Sequence, residues 1–235
     1  MVQIIAHRGS SRLHPENTAA AFAHAVESGA NLLEVDIRRS CDGVLYCFHD
    51  NQLQRLTGCA GTIEQTASNE LDSLQVNGAE PLLRLEEFLR LFGDRAGIVL
   101  DIKSARIEES LLQALDNGSP AREVIFSSFS AEVLRRLAEL RQGLRLALII
   151  GPWRNLGWHL KVSDSMIARL RELGCSAAHI HHRLARPEAI KAFHAAGLAV
   201  SVWTVDDPAT AARLAGIGAD GIISNTPESL QQRRF

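Results

Sequence analysis

The sequence predicts an α/β protein, a single (β/α)8 barrel with a β-hairpin and loop inserted after its second strand. Three observations carry that expectation. Eight short runs rich in Val and Ile alternate with helical patterns, as parallel β/α units do. Most of these runs are apolar on both faces, which suits strands covered by helices outside and packed inside. Several runs end in a charged residue, and the carboxyl edge of a parallel sheet would gather such residues into one site.

The expected strands are Val2–Ala6, Leu32–Ile37, Ile98–Ile102, Val124–Ser127, Leu144–Ile150, Ala177–Ile180, Ala199–Trp203 and Gly221–Ser224. The helices between them carry clear start and stop signals. Asn17 or Thr18 can cap a helix whose Phe22 and Val26 share a face and whose end is Gly29. Leu85, Phe88, Leu89 and Phe92 form an i, i+3, i+4, i+7 stripe closed by Gly93. Ser130 can cap the helix of Val133, Leu134 and Leu137. Pro187 and the pair Asp207-Pro208 open two more helices, and Gly197 closes the first of these. Val44–Phe48 breaks the alternation. Only Cys41-Asp42-Gly43 separates it from the second strand, too short for a parallel crossover, so it must return as an antiparallel hairpin. That return brings His49 back to the height of Asp36, and the insertion should run to about Pro81.

The chain of 235 residues, 46% of them apolar, is long enough for one barrel domain spanning residues 1–235. Its charges are interspersed to a net −2, and adjacent arginines occur only as isolated pairs, Arg233-Arg234 at the tail among them, so no nucleic-acid partner is expected. Four cysteines (Cys41, Cys47, Cys59, Cys175) lack C-x-x-C spacing and read as reduced thiols. The amino terminus shows no charged-then-apolar leader. No run reaches the ~18 apolar residues of a membrane span, so a cytoplasmic protein is expected. The oligomeric state is left open.

The chemistry-bearing residues follow from the strands. His7 offers an acid/base group near neutral pH, Arg8 a bidentate anion ligand, and Gly9 a tight turn. Glu34 and Asp36 lie on the same side of a buried strand, where they repel each other unless a cation lies between them; hard oxygen ligands suit Mg2+ or Ca2+. Asp101 would add a third carboxylate. Lys103, facing the same way, would hold an anion or else pair with Asp101. Trp203 reads equally as an apolar wall at the barrel mouth and as core, and Ser127-Ser128-Phe129 reads slightly more as structure. His179, His181 and His182 lack the further ligands of a zinc site and read as substrate or loop contacts. His14, His24, His159 and His194 read as solvated or loop residues. Two histidines, a carboxylate cluster and basic anion ligands together fit hydrolysis of a phosphate ester.

At this level of detail H-R-G, P-E-N-T, E-V-D, D-G, H-D, R-L-T-G-x-x-G, P-L-L-R-L-E-E, D-I-K, S-S-F, V-W-T-V and G-A-D-G-I-I-S, in order from residue 4 to about 227, resemble the glycerophosphodiester phosphodiesterase family. The resemblance is strongest to cytoplasmic bacterial members. It implies a TIM-like barrel, one divalent cation, and hydrolysis of a small glycerophosphodiester to sn-glycerol 3-phosphate and an alcohol. It also implies His7 and His49 as the acid/base pair, Glu34 and Asp36 as metal ligands with Asp101 at the position of a third, and Arg8 and Lys103 as phosphate contacts, beside which Trp203 would be the apolar wall. Three departures stand out: Asp101 replaces a usual glutamate, Asp206 a usual asparagine, and Ser224-Asn225 a usual T-D. Two rivals stay open, a sphingomyelinase-D-like lyase that stops at a cyclic phosphate and a silent barrel that only binds phosphodiesters.

Overall fold

The computed structural model describes residues 2–118, 123–151 and 163–231; His159 and Arg233-Arg234 lie outside them. Its strands are β1 (Gln3–His7), β2 (Leu32–Arg39), β3 (Leu45–Cys47), β4 (Gln75–Val76), β5 (Glu80–Pro81), β6 (Gly97–Ile102), β7 (Val124–Ser128), β8 (Arg145–Ile150), β9 (Ala177–His181), β10 (Ala199–Trp203) and β11 (Gly221–Ser224). Strands β1, β2, β6, β7, β8, β9, β10 and β11 pair in parallel in that order, and β11 pairs back onto β1. The result is a closed eight-stranded barrel. Its helices are α1 (Ala19–Glu27), α2 (Gln54–Thr57), α3 (Ser68–Leu71), α4 (Leu85–Phe92), α5 (Glu108–Asn117), α6 (Ala131–Leu140), α7 (Asp164–Glu172), α8 (Pro187–Ala195), α9 (Pro208–Gly216) and α10 (Pro227–Gln231). Every expected barrel strand is present within two residues of its expected bounds, because burial on both faces makes a continuous apolar run the only workable sequence there.

The helix signals work as read, with one division of labour. Thr18 caps α1 by accepting from the Ala21 N–H at 3.3 Å, whereas Asn17 adopts a left-handed backbone (φ +58°) and turns its amide to the barrel. Ser130 and Asp207 cap α6 and α9. The α4 stripe is fully buried, with Phe88 and Phe92 packed on Phe22 at ring separations of 4.7 and 5.8 Å. Burial of each such side chain stabilises the fold by roughly 1.5–3 kcal/mol.

The hairpin is explained by a short first strand. β1 pairs with β2 only from Leu32 to Glu34, which leaves the upper edge of β2 unpaired; β3 takes that edge antiparallel, with Ile37 opposite Cys47. The Phe48 N–H then donates to the Asp36 carbonyl at 2.9 Å, so His49 returns to the height of Asp36. The segment expected as a loop to about Pro81 is more than a loop. It holds α2, a 3-10 turn at Ile63–Gln65, α3 and the β4–β5 ribbon around a core of its own, built from Tyr46, Phe48, Leu53, Leu56, Ile63, Leu71, Val76 and Leu82. These apolar residues are spaced too irregularly for either period, so the sequence pattern could not assign elements to them.

Inside the barrel, alternate residues of each strand point inward and change character with height. The floor is apolar: Ile5, Leu32, Val99, Ile125, Ala147, Ala177 and Ile223. The next inward positions carry polar groups, among them His7, Glu34, Asp101, Ser127 and His179. All four cysteines are free. No helix among the described residues is long and apolar enough to cross a membrane.

Two expected outcomes follow. Gly9 has φ +80°, and a Cβ there would lie 2.6 Å from the Ala21 carbonyl carbon. Gly9→Ala should therefore destabilise by about 2–4 kcal/mol, from a left-handed backbone and overpacking against α1; urea denaturation measures it, and an unchanged midpoint would refute the close approach. His179 is buried, and that burial pushes its pKa down from 6.5 to about 4. Between those values the unfolded chain takes up a proton that the folded ring refuses, so this contribution is intact above pH 6.5 and lost as pH falls toward 4. His179→Leu should remove it, shifting the stability difference from wild type by about 2–3 kcal/mol between pH 7.5 and 4.5. Denaturation curves at the two pH values, if parallel for both proteins, would rule this out.

Candidate active site

A pocket of about 110 Å3 opens at the carboxyl ends of the strands, lined by His7, Arg8, Glu34, His49, Asp101, Lys103, Ser127, Phe129, Ile149, His179, Trp203 and Ile223. Seven of the eight sequence-expected site residues line it directly, and Asp36 lies against it beneath Arg8 and Lys103.

Three carboxylates form the centre. Glu34, Asp36 and Asp101 are buried, and one oxygen from each lies within 4.8 Å of the others. Adjacent strands β2 and β6 put Asp36 directly beside Asp101 in register. Burial raises the pKa of Glu34 well above the ordinary carboxylate range, and Asp36 and Asp101 push it further. Asp101 is likewise raised to about 6 by burial and by Asp36, against the pull of Lys103. For Asp36 burial is outweighed by Lys103 and Arg8, which hold it below the usual range. The groups that compensate this charge are few. Lys103 Nζ sits 2.5 Å from Asp101 and 3.2 Å from Asp36, and Arg8 Nε lies 3.0 Å from Asp36. Two cations thus face three carboxylates: Asp101 Oδ1 is buried with no partner among the described residues, and Asp36 Oδ1 has only the Lys103 ammonium at 3.2 Å. Such oxygens, close together and under-compensated, fit a hard divalent cation.

Lys103 therefore does pair with Asp101, as one reading of the sequence allowed, while still lining the pocket. Arg8 differs from expectation. Its Nη1 binds Glu16 at 2.9 Å and its Nε faces Asp36 at 3.0 Å, so two of its three nitrogens are engaged by the protein's own carboxylates and the side-on Nε/Nη2 face is taken. The cause is its backbone: Arg8 is left-handed (φ +57°), its N–H held by the Glu34 carboxylate at 2.9 Å, which aims the side chain across β2.

The two histidines are each fixed through Nδ1, leaving Nε2 as the other ring nitrogen. His7 Nδ1 lies 2.7 Å from Asn225 Oδ1, and His49 Nδ1 lies 2.6 Å from Asp50 Oδ1. His7 Nε2 is 4.0 Å from Glu34. Burial, helped by Arg8, lowers the His7 pKa to about 4; His49 is lowered as well, again by burial first. The His49 carbonyl accepts from Arg38 Nε at 2.7 Å, which pins the backbone where the hairpin delivers it.

Several of these partners were not singled out from the sequence. Asn17 donates to Asp36 Oδ2 at 2.9 Å and accepts from the Asp36 N–H at 3.2 Å. Its signal was its place in P-E-N-T, since asparagine tolerates the left-handed turn that aims it. Glu16 and Arg55 connect Arg8 to Asp50 by ion pairs of 2.9, 2.7 and 2.5 Å. Asp206 accepts from the Asn225 side chain at 2.8 Å, so two departures from the family pattern bond to each other behind His7. Set against the asparagine and aspartate that the resemblance leads one to expect at these two positions, the residues stand the other way round and still make an amide–carboxylate contact.

Away from the carboxylates the wall is largely apolar. Trp203 belongs to both readings given above, lining the pocket and packing on the barrel interior, with Phe129 edge-on at 5.8 Å. Ser127 and Ser128 donate to the Leu100 and Ile102 carbonyls and are structural. His179 lines the pocket, whereas His181 Nδ1 accepts from the Arg183 N–H. His24, expected in solvent, is instead half-buried with Nδ1 3.0 Å from Ser10; His14 packs beside it and His194 pairs with Asp220 at 2.8 Å.

Comparison with known proteins gives one consistent result. The model of the glycerophosphoryl diester phosphodiesterase family matches residues 7–229. A glycerophosphodiester phosphodiesterase of Caldanaerobacter subterraneus subsp. tengcongensis is 30% identical over 97% of this chain and 95% of its own. Among solved structures, an Oleispira antarctica phosphodiesterase in complex with the product sn-glycerol-3-phosphate has a TM-score of 0.90 at 27% identity, covering 98% of this chain and 95% of that one. A Thermotoga maritima glycerophosphodiester phosphodiesterase has a TM-score of 0.84 at 26% identity, covering 100% and 99%. The match begins at His7, the last residue of β1 and the first of the site, and runs through the other seven strands of the barrel: the chain belongs to the glycerophosphoryl diester phosphodiesterase family of hydrolases.

Proposed function

We propose that this enzyme, a single barrel domain, hydrolyses small glycerophosphodiesters such as glycerophosphocholine or glycerophosphoethanolamine to sn-glycerol 3-phosphate and an alcohol. The observation that carries this reading is the pair of Nδ1-anchored histidines beside three buried, under-compensated carboxylates. Glu34, Asp36 and Asp101 would hold a divalent cation, Mg2+ or Ca2+, whose Lewis acidity would acidify the glycerol 2-hydroxyl and offset phosphoryl charge. One imidazole removes the 2-hydroxyl proton as that oxygen attacks phosphorus, and the other protonates the departing alcohol. Water then opens the cyclic phosphate with the two roles reversed. Arg8 Nη2 and Lys103 face the equatorial oxygens, where charge develops. Trp203 and Phe129 bound the carbon skeleton of the glycerol moiety.

Release of glycerol 3-phosphate in a coupled dehydrogenase assay tests the reading. Wild type should turn over glycerophosphocholine and stop with chelator. His7→Ala and His49→Ala should each lower kcat by about 10²–10⁴-fold, the range for a lost general acid or base. A 2-deoxyglycerol analogue should be inert. A folded histidine variant retaining more than a tenth of wild-type kcat would remove that histidine from the mechanism, and rapid turnover of the analogue would remove the hydroxyl.

Metal titration separates the roles of Asp101. Its carboxylate is one C–C bond, about 1.5 Å, shorter in reach than the usual glutamate, and it already binds Lys103. Asp101→Ala should raise the metal concentration for half activity, while Asp101→Glu should keep activity. If Asp101→Ala titrates like wild type with both Mg2+ and Ca2+, Asp101 serves Lys103 alone.

A further inference from the structure

The mouth of the barrel is divided. Among the described residues, β1, β2, β6, the turns after them and the hairpin supply every charged side chain that lines the pocket and both histidines of the proposed mechanism: His7, Arg8, Glu34, His49, Asp101 and Lys103. β7 to β11 supply Ser127, Phe129, Ile149, His179, Trp203 and Ile223. In this second half the polar atoms are nearly all committed inward. Ser127 Oγ donates to the Leu100 carbonyl at 3.3 Å, and Trp203 Nε1 donates to the His179 carbonyl at 3.0 Å. One is not. His179 is 2% exposed, and its Nε2 is buried with no hydrogen-bond partner among the described residues.

A buried polar atom left unpaired costs about 1–3 kcal/mol, and an apolar side chain of similar shape would avoid that cost. The surroundings would suit one: Ala177 lies beneath it on β9, and Ile149 and Ser201 flank it in register on β8 and β10. An unsatisfied imidazole on the wall of a pocket is a group that awaits a ligand atom. The ring sits one inward position below Trp203 and His181 at the rim, so it meets the part of a ligand that enters deepest.

We propose that His179 is the specificity-determining residue that hydrogen-bonds the free terminal hydroxyl of the glycerol moiety. This rests on the glycerophosphodiester reading above. In that reading the phosphate and the 2-hydroxyl occupy the charged half. The glycerol moiety then has one polar group left, the terminal hydroxyl on a CH2 carbon. It falls on the half of the pocket where Trp203, Phe129 and Ile149 receive the carbons and His179 offers the unpaired polar atom. A hydroxyl matches it in kind, because a neutral imidazole can either donate to or accept from an O–H. Burial keeps the ring neutral through the physiological range, so it adds no charge that would draw the phosphate away from Arg8 and Lys103. The leaving alcohol makes no such demand, since it must depart through the mouth.

The test compares glycerophosphocholine with its 1-deoxy analogue, the propane-1,2-diol phosphodiester of choline, by choline release, which reads both substrates alike. Wild type should favour glycerophosphocholine by about 10–100-fold in kcat/KM, the discrimination expected of a hydroxyl whose site partner is otherwise left unpaired. His179→Leu should lose that factor on glycerophosphocholine, stay within about threefold of wild type on the analogue, and so erase the preference. His179→Gln, which keeps a polar side chain, should retain part of it. Equal losses on both substrates in either folded variant would make His179 merely structural and overturn the proposal. So would a preference that survives in His179→Leu, or a wild type that hydrolyses both substrates equally while the parent reading stands. Failure of wild type to release choline from either substrate would instead overturn the parent reading, and this inference with it.

Discussion

Three carboxylates confined within 4.8 Å at the mouth of a closed barrel impose the condition that the surrounding structure meets. Buried negative charge is tolerated only when it is paired and hydrogen-bonded. Each neighbour of the cluster can be understood as part of that compensation. Lys103 bridges Asp36 and Asp101 from two residues along the same strand. Arg8 reaches Asp36 only because its own backbone turns left-handed immediately above β1. Asn17 clasps the Asp36 carboxylate and backbone together, which fixes the carboxylate's direction without adding charge. Even so, Asp101 Oδ1 stays buried without a partner among the described residues, and the three carboxylates remain compatible with a divalent cation.

The compensation also couples the cluster to the histidines. From Asp36 a continuous sequence of ion pairs runs through Arg8, Glu16 and Arg55 to Asp50, whose carboxylate lies 2.6 Å from His49 Nδ1. These groups alternate in sign, so each satisfies two neighbours, and the run ties the loop after β1 to the inserted lobe. The lobe in turn has its own apolar core, which gives His49 a rigid support although it lies outside the barrel strands. The two histidines are held by different chemistry: a neutral amide behind His7 and a carboxylate behind His49. A carboxylate stabilises the imidazolium more than an amide does, so the two rings are unequal before any substrate arrives.

Among the described residues the remaining half of the mouth carries no charged side chain, and that contrast gives the pocket direction. In the proposed reading an anionic phosphodiester would place its phosphate on the charged side and its carbon skeleton against Trp203, Phe129 and Ile149. The apolar side also lowers the local dielectric, which strengthens every electrostatic contact opposite it.

The sequence by itself determined the barrel, the hairpin and the gathering of the site. Strands buried on both faces must be continuous apolar runs, and a run interrupted at its end by His7, Asp36 or Asp101 can place that charge only at the sheet's edge. The three-residue turn at Cys41-Asp42-Gly43 left no alternative to an antiparallel return. These are local constraints, and local pattern records them. What only the tertiary structure decided are the pairings between elements distant in the chain. Asn17 with Asp36, Asn225 with His7, and Arg55 with Glu16 are polar contacts made by side chains that look solvated in sequence. The inserted lobe's core was equally hidden, because its apolar residues follow no period. Arg8 is the clearest case: its residue type announced an anion ligand, but the left-handed backbone and the carboxylates around it decided that most of its guanidinium serves the protein instead.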